Sequence, residues 1–551
     1  VSASDLAPAP CGGEADEQDV AAGAERLIAG LAGRPWGQVG VSVYETGRLV
    51  ALAPWLTGHA ERIAYLIEAQ RENGRWGAHD EYDLVPTLSA VEALLGETRR
   101  GAPEGLGEYV ARSAARGLRA LSVRRPPEGA APDMPARELI VAYLTEAIDR
   151  RLRDSGGPEP HLAEAVALPR PDPASVAKLA RIRAGLRSGA RLPEKLLHAL
   201  EVGGEAAAGA LGVRPEPLGA VGASPAATAA WLGAGTVPEP GHPARRYLEA
   251  VAGLHGGPVP CALPITVFER GWVLSTLKRA GVPLCAPEAL VASLRAGERA
   301  GGVPAGPGLP ADADTTSVAL YALALLGDPV EPAALWDYKA GEHFVTWRGE
   351  EGVSTTVNAH VLDCLHAYLA GRTDAPTRYA GAAGQVAGWL RDRQRADGSW
   401  ADRWHASPYY ATMSCALALD ARGDSPEAVR RAIRWTLSTQ RADGSWGLWS
   451  GTAEETAYAM QTLLLCRAAA AEPARLRACA RGRMFLERSC GDGHPPMPAM
   501  WHDKDLYAPR AIIWAAVISA RHLASRNPEI RHYRRQKGYG RRGAHIRDVP
   551  Y

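Results

Sequence analysis

Apolar positions along the chain recur at helical spacing far more often than they alternate. The windows 87–95, 410–419 and 456–465 are apolar and rich in small residues, and windows of the same kind open near Thr316, Thr356 and Arg510. Runs of this length, bounded by Gly, Pro and capping residues, predict helices. Strand signals are sparse. One run, 318–326, follows the Gly- and Pro-rich stretch 301–310, so the residues between them, Asp312-Ala313-Asp314-Thr315-Thr316, fall at the start of a helix.

The helical pattern carries a repeated signature. Gln70, Gly74 and Trp76 share their spacing with Gln394, Gly398 and Trp400 and with Gln440, Gly444 and Trp446, and the last two copies lie 46 residues apart. The Gln closes a helical stretch and the Gly supplies a turn of positive φ. The Trp then packs on the next unit while the Gln ties neighbouring helix ends together. Helix pairs returning about every 40 to 55 residues predict an all-α chain built of α/α toroids, inner helices ringed by outer ones. These Gln and Trp residues read as staples, and the architecture alone assigns no function.

At 551 residues the chain exceeds one ordinary core, so two or three domains are expected. With 62 basic and 61 acidic residues, nothing draws the whole chain toward nucleic acid. Its eight cysteines form no CxxC pair and read as reduced, mostly buried thiols of a cytoplasmic protein. The start, with Glu14, Asp16, Glu17 and Asp19, lacks the pattern of a signal peptide. No run approaches the roughly 18 apolar residues of a membrane span. The tail from Asn527, with Arg531, Arg534, Arg535, Lys537, Arg541, Arg542 and Arg547, reads as a solvated end.

Asp312 and Asp314 carry the chemistry. Two close carboxylates resist joint ionisation, so the pair tends to keep one proton. A neutral carboxylic acid on a dry cavity wall is what protonation of an alkene requires. From these five residues alone, a helix-capping role stays open beside it.

Several further segments share a resemblance. Val41-Ser-Val-Tyr44-Glu45-Thr46, Leu192-Pro-Glu-Lys-Leu-Leu-His198-Ala-Leu-Glu201, Ser224-Pro-Ala-Ala-Thr228-Ala and Pro264-Ile-Thr266-Val-Phe268-Glu269-Arg270 resemble, in order, motifs of copalyl-type diphosphate synthases. Asn358-Ala-His360-Val-Leu and Trp501-His-Asp-Lys504-Asp-Leu-Tyr507 also look like bacterial members. With the repeats and the Asp pair, the chain resembles the class II terpene cyclases, which protonate an isoprenoid double bond and leave the diphosphate attached. The resemblance implies two α/α barrels, β and γ, without an ionisation-type α domain. In agreement, the sequence contains no Asp-Asp dipeptide and so no DDxxD cluster.

The resemblance implies roles by position. Asp314 matches the middle Asp of DxDD, the general acid, and Asp312 the first, which orients it. Thr315 stands where the family has a third Asp, keeping a hydroxyl and removing an anion. A DxDTT pattern is similar to that of enzymes making drimane skeletons from farnesyl diphosphate. Lys178 matches a diphosphate-binding lysine, with Arg181, Lys504 and Arg510 as further cations. His198 matches a His that holds a base water with an Asn, here replaced by Thr266. Asn358 is a candidate for the cavity wall. Trp336, Tyr338, Trp347, Tyr410, Trp449, Tyr458 and Tyr507 are candidate aromatic faces for the cations, each worth about 0.5–2 kcal/mol. Magnesium is expected to bind with the diphosphate. Glu45 and Glu138 are candidate carboxylates for its waters, and no ligand triad is readable.

These readings converge on a β domain over 263–527, a γ domain over 36–262, an N-terminal segment 1–35 packed on β, and a tail 528–551. The expected reaction is cyclisation of farnesyl diphosphate to drimenyl diphosphate, with geranylgeranyl diphosphate giving a copalyl- or labdane-type product as the alternative. The partner is the small-molecule substrate, without nucleic acid or membrane insertion; a homodimer is compatible. A protein prenyltransferase-like subunit would instead hold zinc near Asp363 and Cys364. A non-enzymatic toroid scaffold would leave the Asp pair idle.

Overall fold

The computed structural model describes residues 14–536 apart from 35, 80, 124–130, 155–167, 236, 297–300, 373, 424, 468–472 and 491–495. It is almost wholly helical; the strands among the described residues form three two-stranded hairpins. Six helices, Thr266–Arg279, Ala313–Leu325, Thr355–Leu369, Pro408–Arg422, Ala453–Leu465 and Arg510–Arg526, pack each on the next, and the sixth closes on the first. Their small, apolar sequences let them sit together as an inner ring. Outside lie Glu288–Ala296, Thr377–Asp392, Pro426–Ser438 and Pro473–Cys490. The N-terminal helix Glu14–Gly33 packs on the first and last inner helices and completes the outer layer, with Val20, Ala24, Leu27, Ile28 and Leu31 in the same core.

A second, smaller ring runs through Val43–Leu52, Leu84–Arg100, Arg137–Asp154, the 3₁₀ segment Leu200–Ala207 and Pro225–Leu232, which returns to Val43–Leu52. The two rings hold separate cores, with a third cluster around Leu49, Tyr247 and Leu263 between them. The basic tail begins as the helix Pro528–Gln536; Lys537, Arg541, Arg542 and Arg547 lie outside the described residues. No described helix is long and apolar enough to cross a membrane.

The repeats act as one device used three times. Gln70 donates to the Gly74 and Ser113 carbonyls, Gln394 to those of Gly398 and Ala428, and Gln440 to those of Gly444 and Ala478, all within 2.8–3.0 Å. Each Gln therefore closes its own turn and grips the next outer helix. Trp76, Trp400 and Trp446 are fully buried. Each indole N–H donates back to the preceding helix, at Leu66, Leu390 and Thr436. Each Trp amide donates to the hydroxyl of a Thr in the following inner helix, Thr87, Thr412 or Thr456, at 3.0 Å. At Gly398 and Gly444 φ is 101° and 93°, and an added Cβ would lie 2.6 Å from the carbonyl oxygen of Arg431 or Arg481. Only glycine permits that approach.

Candidate active site

A cavity of about 340 Å³ opens where the two domains meet. Asp312, Asp314 and Thr315 stand on its wall, and Lys178, Lys195 and Glu138 line it from the smaller domain. Phe268, Trp347, Trp404, Trp501 and Tyr507 supply apolar faces. A larger open groove of about 580 Å³ near the C-terminal helix carries no comparable acid pair.

The acid end is built by local rules. The hairpin pairing of Val303–Pro304 with Ala311–Asp312 delivers Asp312 to the N-cap of Ala313–Leu325 in extended conformation. Its carboxylate accepts from the Thr315 amide at 2.6 Å and the Thr315 hydroxyl at 2.9 Å. Burial first, and then the neighbouring charge of Asp314, push Asp312 up to about 8. The pair therefore keeps one proton through neutral pH. One turn thus holds both the helix cap and the close carboxyl pair.

Asp314 projects from that turn to His360, whose Nδ1 lies 2.6 Å from its Oδ1. The chain of contacts behind orients the ring. Trp272 Nε1–H can only donate, and it donates to the Tyr410 oxygen at 2.9 Å. The Tyr410 hydroxyl is left facing His360 Nε2, a longer contact of 3.5 Å. With the Tyr410 hydroxyl donating to Nε2, Nδ1 of His360 carries the hydrogen and donates to Asp314, leaving the second carboxyl oxygen of Asp314 free of this contact. Tyr410 and Tyr458 do not line the main cavity; they border a small pocket of about 50 Å³ that His360 also lines.

Other expected residues take different places. Asn358 is fully buried, and its amide clamps the Phe344 backbone at 2.9 Å through both N–H and C=O and donates to Ser354 O at 2.8 Å. It is a staple, and His360, two positions on and on another helix face, meets the acid instead. Trp336 packs on Tyr379 and under Arg378, away from the cavity. Trp449 stacks on His79 of the smaller domain at 3.4 Å, off the cavity wall. Arg181 and Arg510 are exposed and do not line the cavity. Lys178 does line it, 3.8 Å from Glu138.

His198 lies on the wall, with Nδ1 2.6 Å from Gly222 O and Nε2 2.9 Å from Asp503. Both partners are acceptors, so both ring nitrogens carry hydrogen and the ring is an imidazolium. Burial opposes that charge, but Asp503 outweighs it and holds His198 above the ordinary histidine range. His198 is thus a cation clamped between Gly222 and Asp503. Lys504 also borders the cavity, but its ammonium is turned inward and enclosed among Glu45, Glu201 and Ser224, so it is committed to protein groups. Glu45 is likewise fully buried against Lys504, too remote from solvent to serve magnesium's waters. Asp363 is ion-paired to Arg279, and Cys364 is buried beside it. Lys195, Phe268, Trp404 and Trp501 were the wall residues hardest to choose from sequence, although three of them fall inside the motifs quoted above.

Known proteins bear on this geometry. Residues 351–494 match the squalene-hopene cyclase C-terminal domain. The chain is 43% identical to the ent-copalyl diphosphate synthase of Streptomyces sp. (strain KO-3988), over 90% of this chain and 94% of that one. It is 40% identical to the labda-7,13-dienyl diphosphate synthase of Streptomyces clavuligerus, over 93% and 94%. The solved ent-copalyl diphosphate synthase from Streptomyces platensis superposes with a TM-score of 0.85 at 43% identity, covering 92% of this chain and 99% of that one. With full-length likeness of this degree, and with an acid pair at a helix cap facing an interdomain cavity, the protein belongs to the class II terpene cyclases.

Proposed function

We propose that the protein cyclises geranylgeranyl diphosphate to a bicyclic copalyl- or labdane-type diphosphate. The observation that carries the reading is one cavity joining a proton-holding Asp pair, aromatic walls and the two lysines Lys178 and Lys195. The C20 chain is favoured over the farnesyl chain expected from Asp312–Thr316, because the similar full-length proteins are named for C20 diphosphates. The acid motif meets only the alkene end, which C15 and C20 substrates share.

In this mechanism Asp314 gives its proton to the terminal alkene. The resulting tertiary cation is attacked by the next double bonds in turn, closing two rings. A C–H bond beside the final cation then breaks, and its electron pair forms the new alkene. One proton enters and one leaves, so the product is an isomer of the substrate. The His360 N–H donates to the carboxylate left behind, and the walls of Phe268, Trp347, Trp404 and Trp501 exclude water and face the cation. The final proton loss does not use the imidazolium of His198.

Magnesium would enter with the substrate. Among the described residues no three His, Cys, Asp or Glu side chains are grouped to hold a metal. Glu138 beside Lys178 offers one carboxylate, which suits an ion that keeps waters and takes phosphate oxygens. Bound there, the ion neutralises diphosphate charge.

The test is incubation of purified protein and magnesium with geranylgeranyl and farnesyl diphosphate separately, followed by phosphatase and gas chromatography–mass spectrometry. A bicyclic C20 alcohol is expected. Drimenol from the C15 substrate alone would move the assignment to drimenyl diphosphate, the reading that Thr315 favours. Linear alcohols from both would overturn the cyclase mechanism.

A further inference from the structure

The hairpin formed by Trp501–His502 and Leu506–Tyr507 belongs to the larger domain: Trp501 lies in its core, and the His502 amide donates to Trp404 O. Its tip, Asp503-Lys504-Asp505, is buried in the other domain. Lys504 Nζ donates to Glu201 at 3.0 Å, to Ser224 Oγ at 2.8 Å and to the His198 carbonyl at 2.8 Å, and it also pairs with Glu45. Asp503 holds His198, and Asp505 accepts from Ser42 Oγ at 3.2 Å and the Tyr44 amide at 3.3 Å. Tyr44 closes the group by donating to Glu201 at 2.7 Å. Three successive charged residues thus find their partners across the domain boundary.

The flanks of the same hairpin are cavity wall. Trp501, His502, Asp503 and Tyr507 all line the space that contains Asp314. We infer that Lys504 is a positioning residue: by inserting between Glu45 and Glu201 it docks the hairpin and so sets its part of the cavity wall that Asp314 shares. A single ammonium faces two buried carboxylates, so its removal leaves the pair repelling each other and the hairpin tip without its anchor. Its consequence for turnover rests on the proposed cyclisation; its consequence for the hairpin does not.

The experiment compares wild type, Lys504→Met and Lys504→Met with Glu45→Gln. Hydrogen exchange is read without substrate, and kcat and KM are read with geranylgeranyl diphosphate. For Lys504→Met, exchange should rise at 501–507 and 198–205 and stay unchanged in the repeats at 394–400 and 440–446. The kcat should fall about a hundredfold, as expected for a wall displaced by about 1 Å, with KM changed far less. Neutralising Glu45 in the double variant should restore part of both. Unchanged exchange at 501–507 would overturn the inference whatever the activity, and unchanged exchange with a raised KM alone would make Lys504 a diphosphate ligand. If Lys504→Met fails to fold, Glu201→Gln tests the same latch, and unchanged exchange there would count equally against it. If no variant or wild type cyclises either substrate, the cyclase reading fails while the exchange result still judges the latch.

Discussion

Replacing His360 with Leu isolates a partner of the acid to which the sequence motifs assigned no role. His360 and Asp314 side chains are only 11% and 16% exposed, so solvent screens their contact little. The Nδ1–H bond is formed to a neutral carboxyl before proton transfer and to a carboxylate after it, so it strengthens as the reaction proceeds. A hydrogen bond to a charged group contributes about 1.5–3 kcal/mol. At about 1.36 kcal/mol per decade, kcat should fall roughly 10- to 150-fold. The pH profile gives a second reading. The reaction needs the one proton that the buried pair keeps, and the pair gives it up only as Asp312, pushed up to about 8, ionises as well, so wild-type kcat/KM should be level below that pH and decline above it. Without the His360 donor the carboxylate form loses support, so the decline should begin at higher pH even as the plateau drops. Steady-state kinetics from pH 6 to 10 on both proteins would measure this. A plateau within twofold of wild type, or a decline moved to lower pH, would refute the assigned direction of the hydrogen bond.

Other consequences can be checked separately. Asp312→Asn keeps a capping oxygen for Thr315 but removes a carboxyl whose folded pKa is raised from 3.8 to about 8. The native state binds that proton more tightly than the unfolded chain, so wild-type stability should decline from about pH 4 to 8 through this group, and the variant's melting temperature should vary less across that window. Lys178→Ala should raise KM for the diphosphate substrate with little change in melting temperature, because Lys178 is exposed at the cavity. Trp446→Ala should cost about 3–5 kcal/mol in chemical denaturation, since it empties a fully buried site and strands a carbonyl partner.

How much of this was legible in sequence follows from how local each feature is. The repeats could be read because Gln, Gly and Trp act within one turn and one following helix. The Asp pair could be read because a cap and an acid share the same short segment. Residues whose partners lie far along the chain could not be sorted: Asn358 and His360 are both polar on one apolar helix, and only the position of Phe344 and Asp314 around that helix separates staple from acid partner. Lys504 looked like a ligand cation, and His198 like the holder of a base water, because their carboxylate partners are about 300 residues or more away. The farnesyl expectation failed to gain support for a related reason. Asp312–Thr316 reports on proton delivery, whereas chain length is set by the whole cavity between two domains.

The replacement of a third carboxylate by Thr315 makes physical sense in this site. The Asp312 carboxyl already accepts the Thr315 amide, and the Thr315 hydroxyl donates to its other oxygen, so both oxygens are fixed by one residue. A carboxylate at 315 would have no hydrogen to donate unless it too were protonated, and it would add a third negative charge beside a pair that burial already keeps from ionising jointly. Threonine therefore orients the first Asp without competing for the proton. The acid's strength is then adjusted from the opposite side, by His360 with Tyr410 and Trp272 behind it, on three helices of the inner ring. Orientation of Asp312 is local to one helix cap, while stabilisation of the Asp314 carboxylate depends on the toroid being closed.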